Sequence, residues 1–272
     1  VGINTVVNSF HYINLKLLAE IAGVLGEKED SILFKNRSQL VKNSINNNLL
    51  NKERGIYTDG EGSSHSSLHA NIFPLVFGVV PEENVNTVIS FIKSKGMACS
   101  VYAAQYLLEA LYQYGEADYA LKLMTSTNER SWWHMIELGS TMTLEAWDMK
   151  YKPNLDWNHP WGTAPANIIT RYMWGILPKE PAFGSVSIKP QLSNLTYSHI
   201  KVPTIKGAIL AEYKQLANGN HLFIFDIPKE MNADFNIPDC GYKIMTLNKK
   251  KVKPEKNSLP LVAGVNKIEL KN

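Results

Sequence analysis

At 272 residues the chain is long enough for one large domain or two ordinary ones, and 44% hydrophobic with 19% charged residues is a globular composition. A net charge of +3 is too small to point to nucleic acid. No apolar run approaches the roughly 18 residues that a membrane span requires.

The chain opens Val1-Gly2-Ile3-Asn4, with neither an initiator Met nor a basic-then-apolar leader, so it is expected to begin inside a reading frame. From Thr5 to about Ile176 apolar residues recur at three and four, the helical period. Val6, Val7, Phe10, Ile13, Leu17, Leu18, Ile21, Ala22 and Leu25 predict the buried face of a first helix ending at Gly26. Asp30 is expected to cap a second helix through Leu33, Leu40 and Ile45. Further helices are predicted over 66–79, 82–95, 99–114 and 116–124, with shorter ones near Trp132 and between Thr163 and Trp174. Gly96, Gly115 and Gly175 stand where helix ends want a left-handed residue.

About eight helices in pairs, with no strands between them and no internal repeat, favour a toroid of helical hairpins over a solenoid. A closed six-hairpin toroid needs twelve helices, so four are expected to lie upstream of Val1. After Phe183 the period becomes two, with strands predicted at 186–188, 205–213, 221–227, 242–247 and 267–270. Asn218-Gly219 marks a hairpin, and Pro190, Pro203, Pro228, Pro238 and Pro254 read as punctuation between strands. The fold expected is therefore α followed by β. Residues 1–178 form the C-terminal portion of an (α/α)6 barrel, and 183–272 an antiparallel β-sandwich, with the boundary in 177–184.

Charge divides the same way. From Phe183 onward 13 Lys and no Arg face 7 acids, while the rest holds 15 basic and 18 acidic residues. Lys249, Lys250 and Lys251 read as a solvated hairpin tip rather than an anion site. Cys99 and Cys240 sit in no metal-ligand or CxxC spacing, and they leave the compartment open.

All six tryptophans fall between Trp132 and Trp174, among Gly, Asn, His and Asp. Such a mixture suits a sugar cleft, where rings stack on sugar faces, and equally an aromatic minicore. Glu145 lies among Leu144, Ala146 and Trp147, an apolar setting that predicts a raised pKa; its alternative is an ion pair with Arg130 or Arg171. His159 precedes Pro160 and so is expected in an extended loop. Asp148 can orient a base or cap a turn. His65 and His69, four apart, are expected on one helix face as cleft lining or caps rather than as metal ligands.

The segment Gly139-Ser-Thr-Met-Thr-Leu-Glu145-Ala-Trp-Asp148 resembles the Gly-Ala-Thr-Thr-x-x-Glu-x-Trp-Asp segment of the family 78 bacterial α-L-rhamnosidases. Trp157-Asn158-His159-Pro-Trp-Gly162 resembles their Asn-His-x-x-x-Gly segment, with the glycine one residue early, and Phe183-Gly-Ser-Val-Ser-Ile-Lys-Pro190 resembles the entry to their β-domain. The resemblance implies a six-hairpin barrel and inverting hydrolysis of α-L-rhamnosides without a cofactor or metal. Glu145 is implied as general base, and the general acid comes from outside this chain. His159 is implied to hydrogen-bond the sugar, with Trp132, Trp133 and Trp147 as stacking rings and Asn158 and Asp148 beside them. The implied partners are a rhamnose-containing glycoside or polysaccharide and the missing N-terminal part of the same enzyme. Neither nucleic acid nor a membrane is implied, and a periplasmic or secreted bacterial location is preferred to a cytoplasmic one. A non-catalytic carbohydrate-binding or structural remnant of such a barrel is the alternative, as is the same chemistry on another sugar.

Overall fold

The computed structural model describes residues 2–238, 241–254 and 256–271; Cys240 lies outside the described residues. The chain divides into two compact units, Val1–Tyr114 with Lys122–Ala164, and Gly115–Leu121 with Pro165–Asn272.

The first unit is built on a long helical hairpin. Helix α1 (Thr5–Leu25) starts where the Asn4 side chain accepts the Val7 N–H, and stops where Gly26 turns left-handed at φ 82° and returns its N–H to Ala22 and Gly23. Helix α2 (Lys28–Asn48) begins two residues before the expected Asp30 cap. Glu27 precedes it without a side-chain cap, and Glu29 and Asp30 lie inside the first turn, where the helix dipole favours carboxylates. The Ser31 hydroxyl donates to the Ala19 carbonyl at 2.8 Å and ties the pair together.

The expected buried face of α1 is corrected by the structure. Thr5, Ser9, Tyr12, Leu15, Ala19 and Ala22 are buried, whereas Val7, Leu17, Leu18, Ile21 and Leu25 are exposed. On α2, Ile32, Leu33 and Leu40 are exposed as well. The buried face mixes small residues with Tyr12 and Leu15, and the exposed face carries the other large aliphatics. Phe10 of the expected set is half-buried, its ring 4.9 Å from Phe73 and 5.1 Å from Phe77.

Strands β1 (Leu50–Asn51) and β2 (Ile56–Tyr57) form a short hairpin before α3 (His69–Val76). Asn71, fully buried on α3, clamps that hairpin: its carbonyl accepts the Tyr57 N–H at 2.9 Å and its amide donates to the Tyr57 carbonyl at 3.1 Å. Helices α4 (Val85–Lys95), α5 (Ala103–Gln113), α6 (Ala117–Met124), α7 (Trp132–Glu137) and α8 (Ala164–Ile168) follow. A π-helical turn over Ile169–Met173 occupies the end of the last predicted helix.

The second unit takes in the start of α6, nearly all of α8 and the π-helical turn, and its main body is a β-sandwich. One sheet has the order β10-β9-β12-β7-β6-β5, from β5 (Tyr197–Thr204), β6 (Gly207–Gln215), β7 (His221–Ile227), β9 (Ile244–Leu247), β10 (Lys250–Val252) and β12 (Gly264–Lys271). The other has the order β11-β8-β4-β3, from β3 (Ile176–Pro178), β4 (Ser185–Ile188), β8 (Asn232–Asn236) and β11 (Ser258–Leu261). Phe223 and Phe225 of β7 each meet Phe235 of β8 at 5.2 Å, which closes the core between the sheets. The described pairs are antiparallel except β4 with β8, which is parallel. Gly175, just before β3, passes so close to Lys189 that an added Cβ would lie 2.1 Å from its carbonyl oxygen, so no side chain fits there.

Five of these strands, β3, β5, β8, β10 and β11, are not among those the sequence predicts. Pro203, read as punctuation, is inside β5 and pairs with Ala208. Pro178, Pro203 and Pro260 all lie on outer strands of their sheets (β3, β5 and β11), where a missing N–H costs no ladder bond. The lysine run does turn a hairpin: Asn248 and Lys249 adopt φ 49° and 69° between β9 and β10. Among the described residues no helix is long and apolar enough to cross a membrane.

Candidate active site

The residues singled out around Glu145 sit in the long connection between α7 and α8. Two of its stretches run side by side. The His159 N–H donates to the Thr143 carbonyl at 2.8 Å, the Thr143 hydroxyl returns to the His159 carbonyl at 2.7 Å, and the Glu145 N–H donates to the Asp156 carbonyl at 3.0 Å. A Cβ on Gly162 would come 2.9 Å from the Leu144 carbonyl oxygen, so the close approach of the two stretches requires glycine.

Glu145 is held at both oxygens. Oε1 accepts from the Lys152 ammonium, and Oε2 accepts the Asp156 N–H at 3.1 Å. The side chain retains 18% exposure. The apolar neighbours in sequence therefore do not set its proton affinity. The Lys152 hydrogen bond, then the Asp156 N–H, with the charges of Lys152 and His159 behind them, outweigh burial and hold the carboxyl below the usual range. This overturns the expected raised pKa. The partner is also neither Arg130 nor Arg171: the Arg130 guanidinium lies over the Tyr151 ring, 4.8 Å from its centre.

His159 lies at φ −128°, ψ 84°, in the extended loop expected before a proline. Its Nε2 is 3.0 Å from the Tyr102 hydroxyl, and the two rings meet edge to face at 5.5 Å. Burial first, and then Glu145, raise the Tyr102 pKa, and the carboxylate is within hydrogen-bonding reach of its hydroxyl. Trp161, 72% exposed, has its ring 4.9 Å from that of Tyr102.

The remaining predicted residues separate by burial. Trp147 is 3% exposed, its indole N–H donates to the Cys99 carbonyl at 2.7 Å, and Trp132 meets it edge to face at 5.1 Å. The stacking role expected of Trp147 is therefore corrected: no ligand reaches the ring, which serves as core. Trp132 is half-buried and donates to the Gly162 carbonyl at 2.7 Å; Trp133 is 48% exposed, and Asn158 is exposed. Asp148 takes the turn-capping role. Its carboxylate faces His134 Nε2 at 2.8 Å and accepts the Lys150 N–H at 3.0 Å, and these bonds, His134 foremost, hold its pKa low.

His65 and His69 do not share a helix face. His65 is in the loop before α3 with Nδ1 2.5 Å from Asp59 Oδ2, while His69 opens α3, where burial lowers its pKa. Among the described residues no group of three or more His, Cys, Asp or Glu is arranged to hold a metal.

Tyr102 and Lys152 are the members that sequence reading missed, and Asp156 enters through its backbone N–H rather than as an acid. Lys152 and Asp156 follow Glu145 by 7 and 11 residues, a local signal open to inspection. Tyr102 stands 57 residues from His159 and is brought there by the fold. The assembly can hold an ionised carboxylate at fixed orientation beside an imidazole, with an exposed aromatic ring adjacent.

Residues 2–173 match the family model described as the bacterial α-L-rhamnosidase six-hairpin glycosidase domain, and 175–251 match that of the bacterial α-L-rhamnosidase C-terminal domain. An α-L-rhamnosidase of Alteromonas sp. (strain LOR) is 26% identical over 217 residues, 74% of this chain and 23% of that protein. One of Formosa agariphila is 24% identical over 199 residues, 68% of this chain and 21% of that protein. The solved α-L-rhamnosidase from Dictyoglumus thermophilum superposes with a TM-score of 0.86 at 19% identity, covering 97% of this chain and 31% of its own. That of Streptomyces avermitilis, complexed with L-rhamnose, gives 0.80 at 18%, covering 97% and 26%. The likeness of fold thus extends over nearly all of this chain, which spans under a third of either solved protein and under a quarter of either curated relative.

Proposed function

This chain belongs to the bacterial α-L-rhamnosidase family, and we propose that it supplies the base-bearing side of an inverting active site that cleaves α-L-rhamnosides. The observation that carries the proposal is the double tether of Glu145, by the Lys152 ammonium and the Asp156 N–H, which keeps an ionised carboxylate aimed beside His159. An inverting glycosidase needs such a base to take a proton from water, and a second carboxyl roughly 6.5–9.5 Å away to protonate the leaving oxygen. Glu145 keeps lone-pair directions beyond its two tethers, enough to accept a water proton. His159 and Asn158 offer polar contacts to sugar hydroxyls, and Trp133, with the edge of Trp132, offers apolar surface.

In this reading the acid comes from a segment outside these residues. In place of the expected division at 178 and 183, the barrel portion matches over 2–173 and the appended sandwich starts with β3 at Ile176. Val7, Leu18, Ile21 and Leu25 of α1, with Leu33 and Leu40 of α2, are an apolar surface that further helices of the same barrel would cover. The chain's small share of its relatives' length supports that assignment. Glu145→Gln in the complete enzyme tests the base. Turnover of an aryl α-L-rhamnoside should fall by roughly 10²–10⁴-fold with the sugar still bound. Near-normal turnover would remove Glu145 from the mechanism.

A further inference from the structure

We propose that Lys152 is the positioning residue of this site: it fixes the plane of the Glu145 carboxylate through a loop built to hold its ammonium in place. The inference rests on Glu145 being the general base. Its warrant is how the lysine is carried. An exposed lysine on a flexible loop contributes little to a carboxylate, because ordering two long side chains offsets the attraction.

Here the ordering is built into the backbone. Asp148 starts the loop with its carboxylate fixed by His134 of α7, at 2.8 Å, and accepts the Tyr151 N–H at its carbonyl, at 3.1 Å. Tyr151 is pinned in turn by Arg130, whose guanidinium lies over the ring and whose Nε donates to its hydroxyl at 3.2 Å. The Lys152 carbonyl accepts the Leu155 N–H at 3.1 Å, closing the turn that returns the chain to Asp156. Lys152 and Asp156 therefore reach Glu145 from the two ends of one turn, and each takes a different oxygen.

Two bonds to two oxygens define a plane, whereas one leaves the carboxylate free to rotate about it. A base that must present one lone pair to a water loses rate steeply when misaligned, since a misplacement of about 1 Å can cost on the order of 10²-fold. The same ammonium keeps the base ionised. The groups facing Glu145 are Lys152, His159 and the Tyr102 hydroxyl, with Asp156 as the opposing charge: Lys152 and His159 favour the carboxylate, and Asp156 acts on Tyr102 and Lys152 in the sense of a nearby anion. Of these, Lys152 exerts the largest effect on Glu145.

The test compares Lys152→Met and Lys152→Arg with Glu145→Gln in the complete enzyme. Rate–pH profiles are read for kcat and KM separately, the Glu145 carboxyl is followed by ¹³C NMR titration, and folding is checked by thermal melting. Lys152→Met should lower kcat by about tenfold or more with KM changed less than about twofold. It should also move the acid limb of kcat/KM and the Glu145 titration to higher pH, and Lys152→Arg should restore most of both. A well-folded Lys152→Met enzyme with wild-type kcat and acid limb, while Glu145→Gln is inactive, would overturn the role of Lys152 and leave the base intact. An active Glu145→Gln would overturn the base itself. Loss of activity in Lys152→Met with an unmoved Glu145 titration, or no rescue by arginine in a folded enzyme, would also overturn the proposal.

Discussion

Gly162→Ala should damage the site without touching a titratable group. The new Cβ would stand 2.9 Å from the Leu144 carbonyl oxygen, 3.1 Å from Thr143 Cβ and 3.3 Å from Thr143 Oγ1. Comfortable separations begin near 3.5 Å for carbon, so about half an ångström must be found. None of the neighbours is the free end of a flexible side chain. Leu144 is fully buried, and the stretch through Thr143 and Glu145 is tied to 156–159 by the bonds at 2.7, 2.8 and 3.0 Å. The two stretches must move apart and stretch those bonds. Overpacking of this kind costs about 1–3 kcal/mol, to be read as a lower denaturant midpoint. Carried to Glu145, a displacement of about half an ångström should lower kcat by roughly tenfold, on the scale where 1 Å costs 10²-fold. An alanine variant with the wild-type midpoint and wild-type kcat would refute the idea that Gly162 sets the spacing between Glu145 and His159.

Three other outcomes are expected. Trp147→Ala should cost about 3–5 kcal/mol because the ring is enclosed and its N–H is used, whereas Trp133→Ala should stay within about 0.5 kcal/mol and act on sugar binding instead; equal stability losses would reverse that division. Asn71→Ala leaves the Tyr57 N–H and carbonyl without their buried partner and should destabilise by about 1–3 kcal/mol in urea unfolding, and no change would show that water replaces the amide. The Glu145 carboxyl is depressed in the folded state, so the stability it contributes is complete above its unfolded pKa and is lost as pH falls through the folded value; Glu145→Gln should therefore flatten the acid side of the stability–pH curve, and a superimposable curve would show that the tether contributes nothing to folding.

How much of this was legible depended on whether the signal was local. The change of period near Phe183, the Gly26 stop and the hairpins at Asn218-Gly219 and at the lysine run are decided by neighbouring residues, and all stand in the structure. Strand β8, Asn-Ala-Asp-Phe-Asn, escaped because its composition is poor for a strand; its two inward residues, Ala233 and Phe235, fit the period only once the sandwich supplies the opposing face. Strands β5 and β11 were hidden by prolines that outer strands tolerate. On α1 the apolar stripe was real, but burial fell on a face that mixes Thr5, Ser9, Ala19 and Ala22 with Tyr12 and Leu15, so hydrophobicity alone did not mark it.

The same distinction explains the site. Apolar neighbours in sequence suggested a desolvated Glu145, yet side chains adjacent along a loop need not surround one another. What surrounds the carboxylate is the far side of its own loop, Lys152 and Asp156, together with Tyr102 from the start of α5. Lys152 and Asp156, which orient Glu145, lie with it and with Tyr102 and His159 inside one compact unit. A carboxylate organised in this way is in position without help from the segment proposed to bring the acid. Joining the two would then adjust the distance between carboxyls without having to build either one. That separation is the physical reason to expect substitutions in 143–162 to alter kcat and its acid limb, while substitutions on the open face of α1, at Ile21 or Leu25, alter assembly and stability instead.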